Sequence, residues 1–246
     1  MGLAHSPKIV TDGLVLCFDA ADPKSYSGSG NTLYNRADSS TYPSVILTGD
    51  TSNYGSIGNG YVTLGGSDDS DNNGVFLNGT GDLATSINND FTTSGWMYRF
   101  SGYSNNSHEI MSYRHSYYRL CFAVNDSSMH FQQRRTVSPH DTNQTVASLT
   151  NSRDVWEHFT VVKNSSGMSF YKDGVLISTN SYTFTQTLGP VSGFTASYAI
   201  GWNNQDDDYR GRTLNGRIGP THHYNRALTA EEVAQNYNAT KSRFGL

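Results

Sequence analysis

The chain has 246 residues, a formal net charge of −4 and only 15% charged residues. Its 17 Lys and Arg are scattered and form no basic stripe, so we expect no nucleic-acid partner. No apolar run approaches the roughly 18 residues that a membrane helix needs, so we expect no membrane insertion. The 24 glycines, together with abundant Ser, Thr, Asn and Tyr, favour strands and tight turns.

The first half of the chain contains apolar segments of strand length. Residues 13–20, GLVLCFDA, form a nearly continuous apolar run, which is typical of a strand covered on both faces. In residues 91–100 strict alternation predicts that Trp96, Tyr98 and Phe100 share one face of a strand. Weaker strand signals lie between residues 31 and 89, and clear ones follow in EIMSYR, YYRLCFAV and SMHFQQRR.

The clearest local pattern is WEHFTVVKNSSGMSFYKDGVLIST, residues 156–179. Asp173 and Gly174 separate two apolar runs there, and this dipeptide suits a two-residue type I′ hairpin, which needs positive φ at both positions. ASYAIGWNN and LNGRIGPTHHY supply two more strands. Strands at such short spacing, followed by one terminal helix, predict an antiparallel sandwich or jelly roll. We see no linker, so the prediction is a single domain over residues 1–246.

The end of the chain predicts a capped helix and a tail. Thr229 and Glu232 have the spacing of a capping box, and Leu228 and Val233 occupy the positions of a hydrophobic staple. A helix of about ten residues is not stable alone, so it must pack on the sandwich. We assign residues 1–12 to an N-terminal arm and 241–246 to a tail. The apolar ends of the tail predict that it docks, either beside the N-terminal strand or onto a neighbouring molecule.

Several blocks resemble a known family. DFTTSGWMY, the 156–179 hairpin, AIGW and LNGRIG…YNRALTAEEVAQNYNA are similar, in order and spacing, to the laminin-G-like, concanavalin A-like lectin jelly rolls. The opening HSPKIVTDGLVLCFDAADPKSYSGSG and the ending NYNATKSRFGL resemble the version found in virion proteins of tailed bacteriophages, especially marine ones. The resemblance implies an all-β, antiparallel two-sheet β-sandwich (concanavalin A-like jelly roll) with one short C-terminal helix.

The same resemblance implies a non-enzymatic bacteriophage virion structural protein, either a capsid decoration or a tail or fibre component. Its partners would then be other virion proteins and host surface glycans, and its location the surface of the phage particle. Whether it forms a homo-oligomer stays open. The alternative is a carbohydrate-binding lectin module for host adsorption, and a remote alternative is a polysaccharide hydrolase.

The acidic residues argue against an enzyme. Glycosidases hold two carboxylates across the scissile bond, and laminarinase-like relatives carry theirs as Glu-x-Asp-x-x-Glu on one strand. Only four glutamates occur, and none has that spacing: Glu109, Glu157, Glu231 and Glu232. The Arg, Gln-x-His and Tyr motifs of the alginate-lyase jelly rolls are also missing. We therefore predict no catalytic residues.

Two acidic loops, residues 66–74 and 203–211, raise calcium as the one candidate cofactor. Calcium prefers several oxygen ligands on a flexible loop. The better candidate set is Asp206, Asp207 and Asp208, because it lies between two recognisable strands. The alternative is that both loops are solvated turns.

Aromatic and polar side chains in two further segments predict a glycan-contacting surface, since sugars stack on aromatic rings and bind polar groups beside them. The alternative is that these aromatics pack in the core or against another subunit. The candidates come from SYRHSYYR, 112–119, and GWNNQDDDYR, 201–210: Tyr113, His115, Tyr117, Tyr118, Trp202, Tyr209 and Arg210.

Five further residues are interpreted structurally. Cys17 and Cys121 lie in apolar runs and are expected to be buried free thiols, with a single disulfide as the alternative. His222 and His223 are neighbours in a strand and face opposite sides, so they cannot readily share one metal ion. Pro220 lacks a strand donor, which predicts a bulge or an edge strand at that point.

Overall fold

A computed structural model describes residues 8–49, 51, 55–65, 76–81, 83, 87, 89–101, 108–115, 118–135, 142–181, 197–201 and 214–246. For residues 114, 115, 118, 119, 134, 135, 142 and 143 it describes the backbone alone. The described strands form two eight-stranded antiparallel sheets, which confirms the predicted all-β sandwich.

The strands of sheet A are β1 Leu14–Phe18, β4 Ser56–Gly58, β5 Tyr61–Leu64, β7 Phe91–Arg99, β12 Trp156–Asn164, β13 Gly167–Lys172, β14 Val175–Asn180 and β16 Gly216–Tyr224. Their order across the sheet is β14-β13-β12-β7-β16-β5-β4, and β1 also pairs with β16. The long strand β16 therefore holds β7 along one side and both β5 and β1 along the other.

The strands of sheet B are β2 Thr32–Tyr34, β3 Ser44–Thr48, β6 Phe76–Thr80, β8 His108–His115, β9 Tyr118–Val124, β10 Ser128–Arg135, β11 Thr142–Ser148 and β15 Ser197–Ile200. Their order across the sheet is β11-β10-β9-β8-β15-β6-β3-β2. The weakly patterned stretch between residues 31 and 89 thus supplies three strands of this sheet and two of sheet A.

The core lies between the two sheets and is built from alternate residues of each strand. Phe91 of sheet A packs on Phe131 of sheet B with 5.6 Å between ring centroids. Phe159 and Phe170 add two more fully buried rings from sheet A. Cys17 and Cys121 are buried free thiols, as predicted. Among the described residues, no helix is long and apolar enough to span a membrane.

Local backbone chemistry agrees with the sequence at both predicted irregularities. Asp173 and Gly174 have φ of 50° and 78°, as a type I′ turn requires, and they join β13 to β14. Pro220 lies where the register of β16 against β7 shifts between Ile218 and Thr221. The proline therefore marks a bulge in a central strand, and the edge-strand alternative is wrong.

The C-terminal helix α1, Ala230–Thr240, packs on the outer face of sheet A. Thr229 and Glu232 form both hydrogen bonds of the predicted capping box. Leu228 and Val233 are buried in one apolar cluster, as expected of a hydrophobic staple. Residues 8–12 of the N-terminal arm meet the same helix, since the Val10 amide donates to the Asn236 side chain at 2.8 Å.

An ionic network ties the sheets together at one end of the sandwich. Arg99, at the end of β7, donates to Asp126 in the β9–β10 turn at 2.7 Å, and Arg153 donates to the other Asp126 oxygen at 2.9 Å. Burial alone would raise the pKa of Asp126, but the hydrogen bonds and charges of the two arginines outweigh it and lower that pKa. Glu157 pairs with Lys172 beside this network.

Replacing Asp126 should destabilise the fold. The Arg99 side chain is 1% exposed, so Asp126→Ala leaves a buried guanidinium without its closest carboxylate. Because Asp126 itself is partly solvated, we expect a loss of about 1–3 kcal/mol in the free energy of unfolding. Urea titration followed by tryptophan fluorescence measures it. Asp12→Ala is the matched control, because Asp12 pairs with Arg226 at 86% exposure and should change stability little.

Candidate functional site

The predicted glycan-contacting residues fall into two groups. Tyr113 is 2% exposed and belongs to the core between the sheets. Its ring is therefore not available for a sugar, which corrects the prediction for this residue. His115 and Tyr118 are paired positions at the end of the β8–β9 hairpin, where the structure describes the backbone.

The remaining predicted site residues lie outside the described residues and stay predictions. They are Tyr117, Trp202, Tyr209 and Arg210 for glycan contact, and Asp206, Asp207 and Asp208 for calcium. Among the described residues, no group of three or more His, Cys, Asp or Glu could hold a metal ion. His222 and His223 do face opposite sides of β16: the ring of His223 stacks on the core residue Phe91, whereas that of His222 lies by Tyr224 under the helix.

Three arginines on neighbouring strands of sheet B were not singled out from the sequence. Arg114 of β8 is the register partner of Arg119 of β9, and Arg119 is in turn the partner of Arg134 of β10. Directly paired residues of adjacent strands belong to one face of a sheet. The register therefore places three arginine positions in one row across β8, β9 and β10, which we call the arginine row.

The tail docks on its own sandwich, which answers the alternative that the sequence left open. Residues Lys241–Phe244 form a 3-10 helix, and the Phe244 ring lies 4.3 Å from Trp96 and 4.5 Å from Trp156. The Trp96 indole N–H donates to the Thr240 hydroxyl at 2.8 Å. Gly219 leaves room for this contact, because a Cβ added there would lie 2.9 Å from Phe244.

Three buried histidines lie near the docked tail or in the core: His158, His222 and His223. Burial lowers the pKa of His158 to about 3, with a smaller effect from His222. Burial also lowers the pKa of His222 to about 4, with Asp19 opposing the shift and Arg243 adding to it. For His223 burial alone lowers the pKa to about 3. All three side chains are therefore neutral at pH 7.

An open cleft of about 350 Å³ lies beside the docked tail. One wall is the loop after β1, residues 20–28, and the other is the tip of the β4–β5 hairpin, residues 57–59. We call it the hairpin cleft. Asn59 and Gly60 have φ of 54° and 80°, so this hairpin also turns on a type I′ dipeptide.

The walls of the hairpin cleft are joined through the tail. The Arg243 guanidinium donates to both oxygens of Asp19, at 2.7 and 2.9 Å, and also to the Gly60 carbonyl at 3.4 Å. Asp19 directly precedes the first wall in the chain, and Gly60 directly follows the second. The walls also meet directly, because a Cβ added to Gly60 would lie 3.2 Å from the Ala21 Cβ. The C-terminal tail thus sets the spacing of the cleft.

The family follows from the sandwich and from a family model. Residues 58–234 match the model described as the concanavalin A-like lectin/glucanases superfamily. The chain belongs to this superfamily. A comparison with curated protein sequences finds no match. The superfamily contains both binding and hydrolytic domains, so membership alone does not decide the activity.

Solved structures with the same fold include binding domains of neurotoxins. One is the botulinum neurotoxin DC binding domain in complex with rat synaptotagmin II, with a TM-score of 0.63, 15% identity, and coverage of 92% of this chain and 51% of that chain. Another concerns botulinum neurotoxin type C and its interaction with two ganglioside molecules. Its TM-score is 0.63 and its identity 14%, and the match covers 92% of this chain and 51% of that chain. The present chain spans about half the length of those chains. At this identity the likeness shows the fold alone.

Proposed function

We propose that the protein is a non-enzymatic structural component of a tailed-bacteriophage particle, where its lectin-like domain is displayed and contacts host surface glycans. The phage context rests on the resemblance of both ends of the chain to virion proteins. Other virion proteins would be its partners on the particle. The observation that carries the non-enzymatic part is the placement of the glutamates.

All four glutamates of the chain lie among the described residues, and no two share a strand. Glu109 belongs to β8 of sheet B and Glu157 to β12 of sheet A, where it pairs with Lys172. Glu232 caps α1 and binds Arg226, and Glu231 lies in the same first turn. These positions do not form the Glu-x-Asp-x-x-Glu strand motif of the laminarinase-like relatives, which supports a binding role.

Two features support glycan contact. The arginine row on sheet B provides a face suited to the acidic groups of bacterial surface polysaccharides. The superfamily and the structural neighbours include binding domains, one of which is described as interacting with gangliosides. The segments 112–119 and 201–210 contribute the aromatic residues in this proposal, and Asp206–Asp208 a calcium site.

A glycan array tests the function. We expect the purified protein to bind acidic polysaccharides, and Arg119→Ala or Arg119→Glu to weaken that binding at least tenfold without lowering Tm by more than a few degrees. Added salt should weaken it as well, because exposed charge pairs are screened. Arg36→Ala is the control, because Arg36 is paired with Asp22 in the loop after β1.

The two parts of the proposal fail separately. Mass spectrometry of intact particles that does not detect the protein contradicts the virion role. A blank array, with the protein stoichiometric in particles, contradicts glycan contact and leaves a purely structural role. Turnover of a polysaccharide contradicts the non-enzymatic assignment.

A further inference from the structure

We propose that the hairpin cleft binds the ring of a neutral pyranose sugar and that Arg243 is the positioning residue that holds its walls. The inference rests on the proposed glycan-binding function and assigns that function a second site with different chemistry from the arginine row. The ligand is one sugar ring, either free or at the end of a longer glycan.

The size and lining of the cleft support a sugar ring. Its volume of about 350 Å³ is at the lower end of small-molecule sites, about 300–1,000 Å³. Tyr26 and Ile57 line it with aromatic and aliphatic surface and pack against the core from the outside. Ser27 and Asn59 place a hydroxyl and an amide on the opposite walls. An apolar surface beside a few polar groups is what a pyranose, with one apolar face and a rim of hydroxyls, requires.

The electrostatics of the cleft select a neutral ligand. None of its nine described lining residues is charged. Two charged residues beside the lining are paired: Asp19 with Arg243 at 2.7 Å, and Asp22 with Arg36 at 3.0 Å. Lys24 is exposed and does not line the cleft. A carboxylated or sulfated sugar would have to lose solvation there without a cation in the lining.

The lining is also held in place before any ligand binds. Ser25 is fully buried, and its hydroxyl accepts from the Asp19 amide and donates to the Tyr34 carbonyl. The Tyr26 hydroxyl donates to the Gly30 carbonyl at 3.2 Å, which fixes the ring on the first wall. On the second wall the Asn59–Gly60 turn is closed by pairing of Gly58 with Tyr61. Arg243 then joins the two walls, so a ligand does not have to order them.

Protein-observed NMR titration with methyl glycosides tests the inference. The neutral probes are the methyl glycosides of glucose, galactose, mannose and N-acetylglucosamine, and the acidic comparators are glucuronate and N-acetylneuraminic acid. We expect a neutral probe to shift the amide resonances of residues 20–28 and 57–60. Ile57→Ala should weaken that binding at least tenfold, whereas Ile177→Ala, at the opposite edge of sheet A, should leave it unchanged.

Two variants separate direct contact from positioning. Asn59→Gly removes the amide and keeps the turn, because glycine accepts the positive φ, so it should weaken binding at unchanged Tm. Arg243→Lys keeps a charge for Asp19 but lacks the planar guanidinium that also reaches Gly60. We expect it to weaken sugar binding several-fold, with the largest resonance changes at residues 57–60.

The outcomes distinguish this inference from the proposed function. If Ile57→Ala and Asn59→Gly still bind on the array, and no neutral probe shifts the cleft resonances, sugar binding in the hairpin cleft is overturned. Glycan binding elsewhere on the protein then remains. Cleft shifts by glucuronate as large as those by neutral probes overturn the neutral specificity. Cleft shifts together with an array on which only neutral glycans are bound support the cleft and contradict recognition of acidic polysaccharides.

Discussion

Acidification from pH 7.5 to pH 5 should remove much of the stability of this protein. His158, His222 and His223 are neutral in the folded chain, with pKa values of about 3, 4 and 3, whereas the ordinary value is 6.5. Below pH 6.5 the unfolded chain binds protons that the folded chain does not, so stability falls as the pH falls. Each histidine can contribute about 1.4 kcal/mol per pH unit in that window. Three together reach about 4 kcal/mol per unit, against a typical total of about 5–15 kcal/mol.

Urea titrations at several pH values between 7.5 and 5 measure this slope. His158→Phe is the informative variant, because the ring lies among Trp96 and Tyr237 and its Nδ1 has no hydrogen-bond partner among the described residues. Below pH 6 this variant should lose less unfolding free energy per pH unit, by about 1.4 kcal/mol, because one fewer proton is taken up on unfolding. A free energy of unfolding that is equal at pH 7.5 and 5 contradicts the assignment of neutral buried histidines.

The strands and the helix could be predicted because their signals are local. Asp173-Gly174 and the Thr229–Glu232 capping box each act within four residues, and the structure contains both as predicted. The Asn59-Gly60 turn carries the same kind of signal as Asp173-Gly174. It was not singled out because the strands beside it, SIG and YVTL, are short and only partly buried.

The candidate sites depend on tertiary arrangement and are therefore harder to predict. The arginine row requires the register of two hairpins, since Arg114, Arg119 and Arg134 are unevenly spaced in the sequence. Tyr113 was misassigned because alternation fixes which residues share a face but not which face is covered. The hairpin cleft joins residues 20–28, 57–59 and 243, and no local pattern relates segments so far apart.

The tail illustrates the same limit and leads to the second large prediction. Apolar residues at its end predicted docking, but its partners Trp96 and Trp156 lie far away in the sequence. Deleting residues 241–246 removes the Phe244 ring from both indoles and opens the Asp19 pair. Loss of one packed phenylalanine and its ring contacts costs about 2–4 kcal/mol. For a chain of this size that corresponds to a fall in Tm of about 5–15 °C.

Point variants locate the effect within the tail. Phe244→Ala should reproduce most of the fall in Tm and shift tryptophan emission to the red, because water reaches Trp96, which is fully buried in the intact chain. Leu246→Ala is the matched control, since Leu246 is 55% exposed and should leave Tm unchanged. Arg243→Lys should lower Tm less than Phe244→Ala while weakening sugar binding more than Leu246→Ala does. A truncated chain with the Tm and emission maximum of the full chain would show that the dock does not stabilise the sandwich. The tail therefore contributes through two side chains with separable effects: Phe244 covers the indoles, and Arg243 sets the cleft.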